Sequence, residues 1–160
     1  MRTFDPTVHN KIANHPDVVR SLEWKPEDHP ETDGWLLFGN LTDDPANYWL
    51  LHNEAETLAM IFEWSMPGAV QMHTMSLPGT RGKVMMRDAK ELLREMFVEH
   101  GAETIWGQAP LHNRQARMFN RLIGGRSCGF GHHHVAGDVE YFRNNRADWL
   151  CDHGSVPLDK

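Results

Sequence analysis

The sequence predicts an α/β domain built on one mixed central sheet with helices on both faces. Two observations carry that expectation. Three short apolar runs, WLLF (35–38), YWLL (48–51) and TLAMIFEW (57–64), lead through the turn MPGA into a fourth, VQMHTM (70–75). Their close spacing and the turn residues between them read as an antiparallel meander. The fourth run then gives way to a long amphipathic stretch and a further buried run, TIWGQA (104–109); strand, long helix, strand makes a right-handed parallel crossover. At 160 residues and 40% apolar composition, the chain is expected to form one domain around its own core. The expected division is N-terminal helices and loop over 1–34, the meander over 35–76, and crossover helix, strand, helix and terminal strand pair over 77–160.

Taken in order, DPTVHNKIAN opens with Asp5 before Pro6, a helix-start pair, and Val8, Ile12 and Ala13 supply an apolar stripe. A second short helix starts near Asp17, and KPEDHPETDG reads as an acidic, proline-broken loop. After the meander, Met85, Ala89, Leu92, Leu93 and Met96 fall on one helical face, with Arg87, Asp88, Glu91, Arg94 and Glu95 on the other. Gly101 ends that helix. In PLHNRQARMFNRLIGG, Asn113 stands where an N-cap belongs and Ala116, Phe119, Leu122 and Ile123 face inward. RSCGF and DVEYF give two last strands before NNRADWL closes the domain.

A net charge of −6 speaks against a nucleic-acid binder, because phosphate-backbone binding needs a basic surface. The charge is unevenly placed: residues 77–126 hold 9 Lys and Arg against 5 Asp and Glu, whereas 1–76 hold 4 against 12. A basic part could receive an anion and an acidic part a cation, or the solvated faces simply differ. Cys128 and Cys151 lack Cys-x-x-Cys spacing and read as free thiols in a reducing compartment. With no leader-like N-terminus and no membrane-length apolar run, the expectation is a cytoplasmic protein with no membrane contact.

Two stretches carry more specific information. LPGTRGKVMM (77–86) places Arg81, Gly82 and Lys83 at the start of the long helix, where unpaired amides and the positive dipole end suit phosphate oxygens. NRQA (113–116) starts the next helix. The element order, with these two stretches, resembles the GNAT superfamily of N-acetyltransferases. That resemblance implies a parallel strand pair that splays apart, with acetyl-coenzyme A in the gap. It further implies that Arg81, Gly82, Lys83 and Val84 form a pyrophosphate loop, that Ser76 and Leu77 present the backbone at the splay with Met75 a cofactor-binding candidate beside them, and that Asn113 lies beside the pantetheine arm. The sequence departs from the family at three places. Val84 and Met86 replace small residues of the loop, where a branched Val could fill the phosphate's approach. Asn120 holds the place of the tyrosine that many members use as general acid. Gly124-Gly125 stands where the family usually has Gly-Phe after the Asn113 helix. Tyr141-Phe142 and Trp149-Leu150 are similar to a branch of phage-encoded GNAT-like proteins.

Amine acylation needs a base, and Glu63 and His73 are the candidates, each able to act through a water; the ordinary alternatives are a solvated edge glutamate and a hydrogen-bonded histidine. Arg114, Arg117 and Arg121 form a basic ridge that could hold an adenosine phosphate, which makes Arg117 a cofactor-binding candidate, or could pair with acidic residues. GHHHVAG (131–137) reads as a solvated hairpin loop rather than a metal site, since consecutive histidines alternate faces and no Cys or carboxylate completes a set. The six tryptophans and nine methionines are expected mainly in the core. Glu23, Glu27, Asp28, Glu31, Asp33, Asp43 and Asp44 concentrate where an amine acceptor would enter.

These readings lead to acetyl-coenzyme A-dependent transfer to a primary amine on a small molecule or peptide. The alternative is a catalytically silent GNAT-like binding or assembly protein, with a second copy of the chain or a phage or host protein as its partner.

Overall fold

The computed structural model describes residues 1–21 and 38–154. Among these residues seven strands form one sheet in the order β1-β2-β3-β4-β5-β7-β6. They are β1 (Arg2–Thr3), β2 (Tyr48–His52), β3 (Leu58–Met66), β4 (Ala69–Ser76), β5 (Thr104–Pro110), β6 (Arg126–His133) and β7 (Gly137–Asn145). Every pairing is antiparallel except β4 with β5. The helices are α1 (Thr7–Ala13), α2 (Pro16–Ser21), α3 (Asn40–Thr42), α4 (Lys83–Val98), α5 (Arg114–Leu122) and α6 (Arg146–His153).

Strand alternation sorts the core into two layers. Leu51, Met60, Phe62, Val70 and Met72 turn to one face and pack with Met85, Ala89, Leu93 and Met96 of α4. Leu50, Ala59, Ile61 and Met75 turn to the other and pack with Ile12 and Val18 of α1 and α2. β3 is therefore buried on both sides, and its sequence is a continuous apolar run for that reason.

Side chains lock the turns. Asn53 Oδ1 accepts the amides of Thr57 and Leu58, both at 2.9 Å, while its Nδ2 donates to Asp88 on α4 at 2.9 Å. Between β3 and β4, Gly68 takes a φ of +78°, open to glycine at no steric cost. Its carbonyl accepts the amides of Glu103 at 2.8 Å and Thr104 at 3.0 Å, which aligns the start of β5 with β4.

The β4–β5 ladder is short. It pairs Ala69, Val70 and Gln71 with Thr104, Ile105 and Trp106 and stops. Beyond it β4 stays paired to β3 as far as Ser76, and β5 to β7 as far as Pro110. Each strand is held by its outer neighbour while the inner edges part, so the splayed parallel pair is present.

Some expectations change. WLLF (35–38) lies outside the described residues except for Phe38, which belongs to the helical turn before α3 rather than to a strand. β1 is an addition: two residues are too few to give a sequence period, and its place is set by the Arg2 amide donating to Glu95 at 2.8 Å. Gly131, His132 and His133 extend β6, and His133 Nδ1 accepts the amides of Val135 and Ala136, both at 3.2 Å, closing a tighter hairpin than a histidine loop. Asn113 does cap α5, its Oδ1 accepting the Ala116 amide at 3.0 Å. Trp149 is buried, but Trp64, Met66 and Met118 are exposed; Trp24 and Trp35 lie outside the described residues. Cys128 and Cys151 are free and exposed. Among the described residues no helix is long and apolar enough to cross a membrane, and no cluster of His, Cys, Asp and Glu is placed to hold a metal ion.

Candidate active site

An open cleft of about 1440 Å³ runs through the gap between β4 and β5. It begins between α4 and α5 on one face of the sheet and reaches Tyr48, Glu63 and His73 on the other. One cavity thus joins the two regions that the sequence marks separately.

At the first end α4 begins without a cap. Gly82 has a φ of +152° and no side chain closes the helix start. The first intrahelical bond runs from the Met86 amide to the Gly82 carbonyl at 3.0 Å, so the amides of Lys83, Val84 and Met85 precede it and are available to an anion. A Cβ on Gly82 would meet nothing within 4 Å; glycine is there for the backbone angle, not for space. Arg81, hydrogen-bonded to Gln115, and Lys83 line the cleft. Arg87, Lys90 and Arg114 add positive charge along the same wall, with Arg87 paired to Asp88 at 3.1 Å. Val84 does not obstruct the approach: it is 62% exposed and lies off the cleft. Met86 lines the cleft while packing on the core.

At the other end the strand register assembles a polar chain. Tyr48 is paired with Glu63 across β2 and β3, and Ile61 with His73 across β3 and β4. Tyr48 Oη donates to Glu63 Oε1 at 3.5 Å, and His73 Nε2 lies 3.3 Å from Glu63 Oε2. The His73 side chain is 47% open, yet its ring sits among protein groups in the cleft. Burial lowers its pKa below the ordinary 6.5, and Glu63 opposes the shift without cancelling it. The imidazole is neutral at pH 7 and able to accept a proton. The Tyr48 phenol is pushed above its ordinary value by burial, then by the charges of Glu63 and Asp44.

The middle of the cleft differs from expectation in two respects. Leu77 is unavailable: its amide donates to Thr57 at 2.9 Å and its carbonyl accepts from Thr80 Oγ1 at 2.7 Å. Leu77 faces β3, so alternation turns toward the gap the backbone groups of Ser76, the other residue expected there, and with them those of Thr74 and Met72. Met75 reaches the cleft but is 7% exposed and belongs to the core. The second difference is Arg117, which turns away from the cleft: its Nε donates to Glu140 at 2.7 Å, and Arg121 donates to the same carboxylate at 2.6 Å. The basic ridge is therefore divided, with Arg114 on the cleft and its two neighbours holding α5 to β7. Asn113 lines the cleft, though its side-chain oxygen is used as the cap.

Tyr48, Arg87 and Lys90 are the site residues that the sequence reading missed. Lys83, Arg87 and Lys90 recur at helical spacing, a signal sufficient to place them on one face. Tyr48 had no such signal, because its role depends on register. Of the acidic acceptor-side residues, Glu23, Glu27, Asp28, Glu31 and Asp33 lie outside the described residues; Asp43 and Asp44 follow α3.

Neither a family model nor a curated protein matches the sequence. Solved structures do match the fold. An acetyltransferase of the GNAT family from Bacillus anthracis superimposes with a TM-score of 0.67 at 16% identity, over 91% of this chain and 92% of that one. The ribosomal-protein-S5-alanine acetyltransferase from Vibrio fischeri gives 0.65 at 16% identity over 91% of each chain. Spermidine N-acetyltransferase from Vibrio cholerae, in complex with CoA and spermine, gives 0.70 at 12% identity over 94% of this chain and 95% of that one. The chain has the fold of the GNAT acetyltransferases.

Proposed function

We propose that this protein is an N-acyltransferase that uses acetyl-coenzyme A and acylates a primary amine on a small molecule or peptide. The observation that carries the reading is the single cleft passing through the splayed strands, with an anion-receiving helix start at one end and the Glu63–His73 pair at the other. The residues fit the coenzyme: the uncapped amides of Lys83 to Met85, with Arg81 and Lys83, suit its pyrophosphate, and the open strand edges leave room for its arm. When bound, acetyl-coenzyme A supplies an acyl group activated as a thioester.

The chain's own residues supply the rest. His73, kept neutral by burial and oriented by Glu63, takes a proton from the incoming ammonium, directly or through a water. The outward-facing backbone of β4 offers donors at the splay. Acidic groups near Tyr48 draw a cationic acceptor to that end, and the spermine-bound neighbour makes polyamines the first acceptors to test. Incubation with acetyl-coenzyme A and a panel of polyamines, aminoglycosides and lysine peptides should release free thiol and give a product heavier by one acetyl group in mass spectra. Arg81→Ala/Lys83→Ala should abolish both signals.

One observation favours the second reading, a silent GNAT-like binding protein: Asn120 occupies the cleft where a hydroxyl acid would serve. Saturable coenzyme binding without turnover on any amine would decide for it.

A further inference from the structure

Two buried polar atoms on the cleft have no partner among the described residues, Asn120 Oδ1 and Thr74 Oγ1. Asn120 is 6% exposed. Its Nδ2 donates to the Ala116 carbonyl at 2.9 Å, which fixes the orientation of the amide, since the flipped form would set two carbonyl oxygens against each other. Oδ1 must then point away from its own helix. A Cβ built on Gly107 would stand 3.3 Å from it and 3.6 Å from the Met72 carbonyl. Met72 and Gly107 are the residues immediately after the last β4–β5 pair, Gln71 with Trp106. Asn120 therefore presents a bare hydrogen-bond acceptor at the point where the sheet divides. Thr74 lies on the same strand face as Met72, one alternation further into the gap, and its hydroxyl can donate.

We propose that these two side chains form a secondary-amide subsite in the split, Asn120 Oδ1 taking the N–H and the Thr74 hydroxyl donating to the C=O of an amide in the arm of the bound donor. The inference rests on the coenzyme A reading above, whose arm carries two such amides, and it gives Asn120 a binding role where the fold's relatives are expected to carry an acid. A buried acceptor without a donor is unfavourable, and an arriving N–H relieves it. Glycine at 107 keeps a Cβ out of a space that Asn120 Oδ1 and Met72 already bound closely, so an arm fits there only when Met72 moves. The methyl end of Met72, 3.7 Å from the Gly107 Cβ position, is the flexible neighbour that turns to admit it. The subsite selects against thiols and thioesters that lack an amide.

The test is calorimetric titration of the parent, Asn120→Leu, Thr74→Val and Gly107→Ala with coenzyme A. Further arms use two analogues in which one or the other amide N–H is replaced by an ester oxygen, and ADP, which has no arm. Asn120→Leu and Thr74→Val should each weaken coenzyme A about tenfold, as the loss of one buried hydrogen bond does, Gly107→Ala should weaken it by crowding Asn120 Oδ1, and all three should leave ADP unchanged. One ester analogue should bind the parent about tenfold more weakly than coenzyme A and bind Asn120→Leu no worse than coenzyme A does, which identifies the amide. Equal binding of coenzyme A by parent and Asn120→Leu, or full-strength binding of both ester analogues by the parent, overturns the subsite and leaves the coenzyme reading intact. If Asn120→Leu fails to bind ADP, the ester analogues on the parent decide alone. No binding of coenzyme A or ADP by the parent at millimolar concentration overturns both.

Discussion

The Glu140 carboxylate, 1% exposed on β7, meets the Arg117 guanidinium of α5 at 2.7 Å. Burial alone would raise its pKa, but hydrogen bonds from Arg117, Ser127 and Arg121 outweigh that and hold it at about 2. The folded value lies below the ordinary 4.5, so the stabilisation is complete above about pH 4.5 and drains as pH falls toward 2. Glu140→Ala leaves two arginines facing a vacated site and should cost about 2–4 kcal/mol in urea unfolding at pH 7. Glu140→Gln should flatten the acid side of the stability curve. An unaltered pH dependence in that variant would show that the pair does not hold α5.

His9 should act in a different pH window. It is fully buried between α1 and β3, its Nε2 donating to the Met60 carbonyl at 3.2 Å, and burial lowers its pKa to about 4. Its neutral form is the one the fold accepts, so stability is intact above 6.5 and is lost as pH falls from 6.5 to about 4, by about 3 kcal/mol in total. His9→Gln keeps a donor and cannot titrate there; its unfolding midpoint should vary less between pH 7 and 4.5 than that of the parent.

For acyl transfer, His73→Gln should reduce kcat/KM about 100-fold, with the structure intact by circular dichroism. The acidic limb of the pH profile should lie below 6.5, since burial lowers the His73 pKa. Glu63→Gln removes the charge that opposes this shift, so its limb should move to lower pH. Movement to higher pH would mean that another group is the base.

Gly82→Ala must adopt a φ near +152°, a region essentially reserved for glycine, and should cost about 1–3 kcal/mol while weakening coenzyme A. Arg81→Ala/Lys83→Ala should instead leave stability near the parent's and reduce affinity at least tenfold, with a flatter dependence on salt. Calorimetry at two ionic strengths separates the two effects.

The parts of the fold visible in the sequence are those with a long period or a local cap. The amphipathic face of α4, the Asn113 cap and the two-sided burial of β3 all follow from residues near one another in the chain. The uncapped start of α4 is of the same kind, and Gly82 between two cations announces it. What was not legible depends on register or on distant partners. Leu77 could not be excluded until its amide was seen bonded to Thr57, and Arg117 could not be assigned to Glu140 without knowing that β7 passes under α5. Tyr48 joins the Glu63–His73 pair only because a hairpin brings residues fifteen apart face to face. Val84 shows the converse: its size suggested a blocked loop, and the helical phase turns it to solvent.

The brevity of the β4–β5 ladder has a mechanical consequence. With rungs at only Ala69–Gln71 and Thr104–Trp106, β1–β4 and β5–β7–β6 behave as two half-sheets stitched along a seam. Beyond the stitches, backbone groups that an ordinary sheet would consume internally are left for an occupant. A molecule lying there becomes an interior member of the sheet, completing what the strands leave open. Filling the seam would add rungs between two halves whose ladder has only three residue pairs, over a core that already joins them beneath α4.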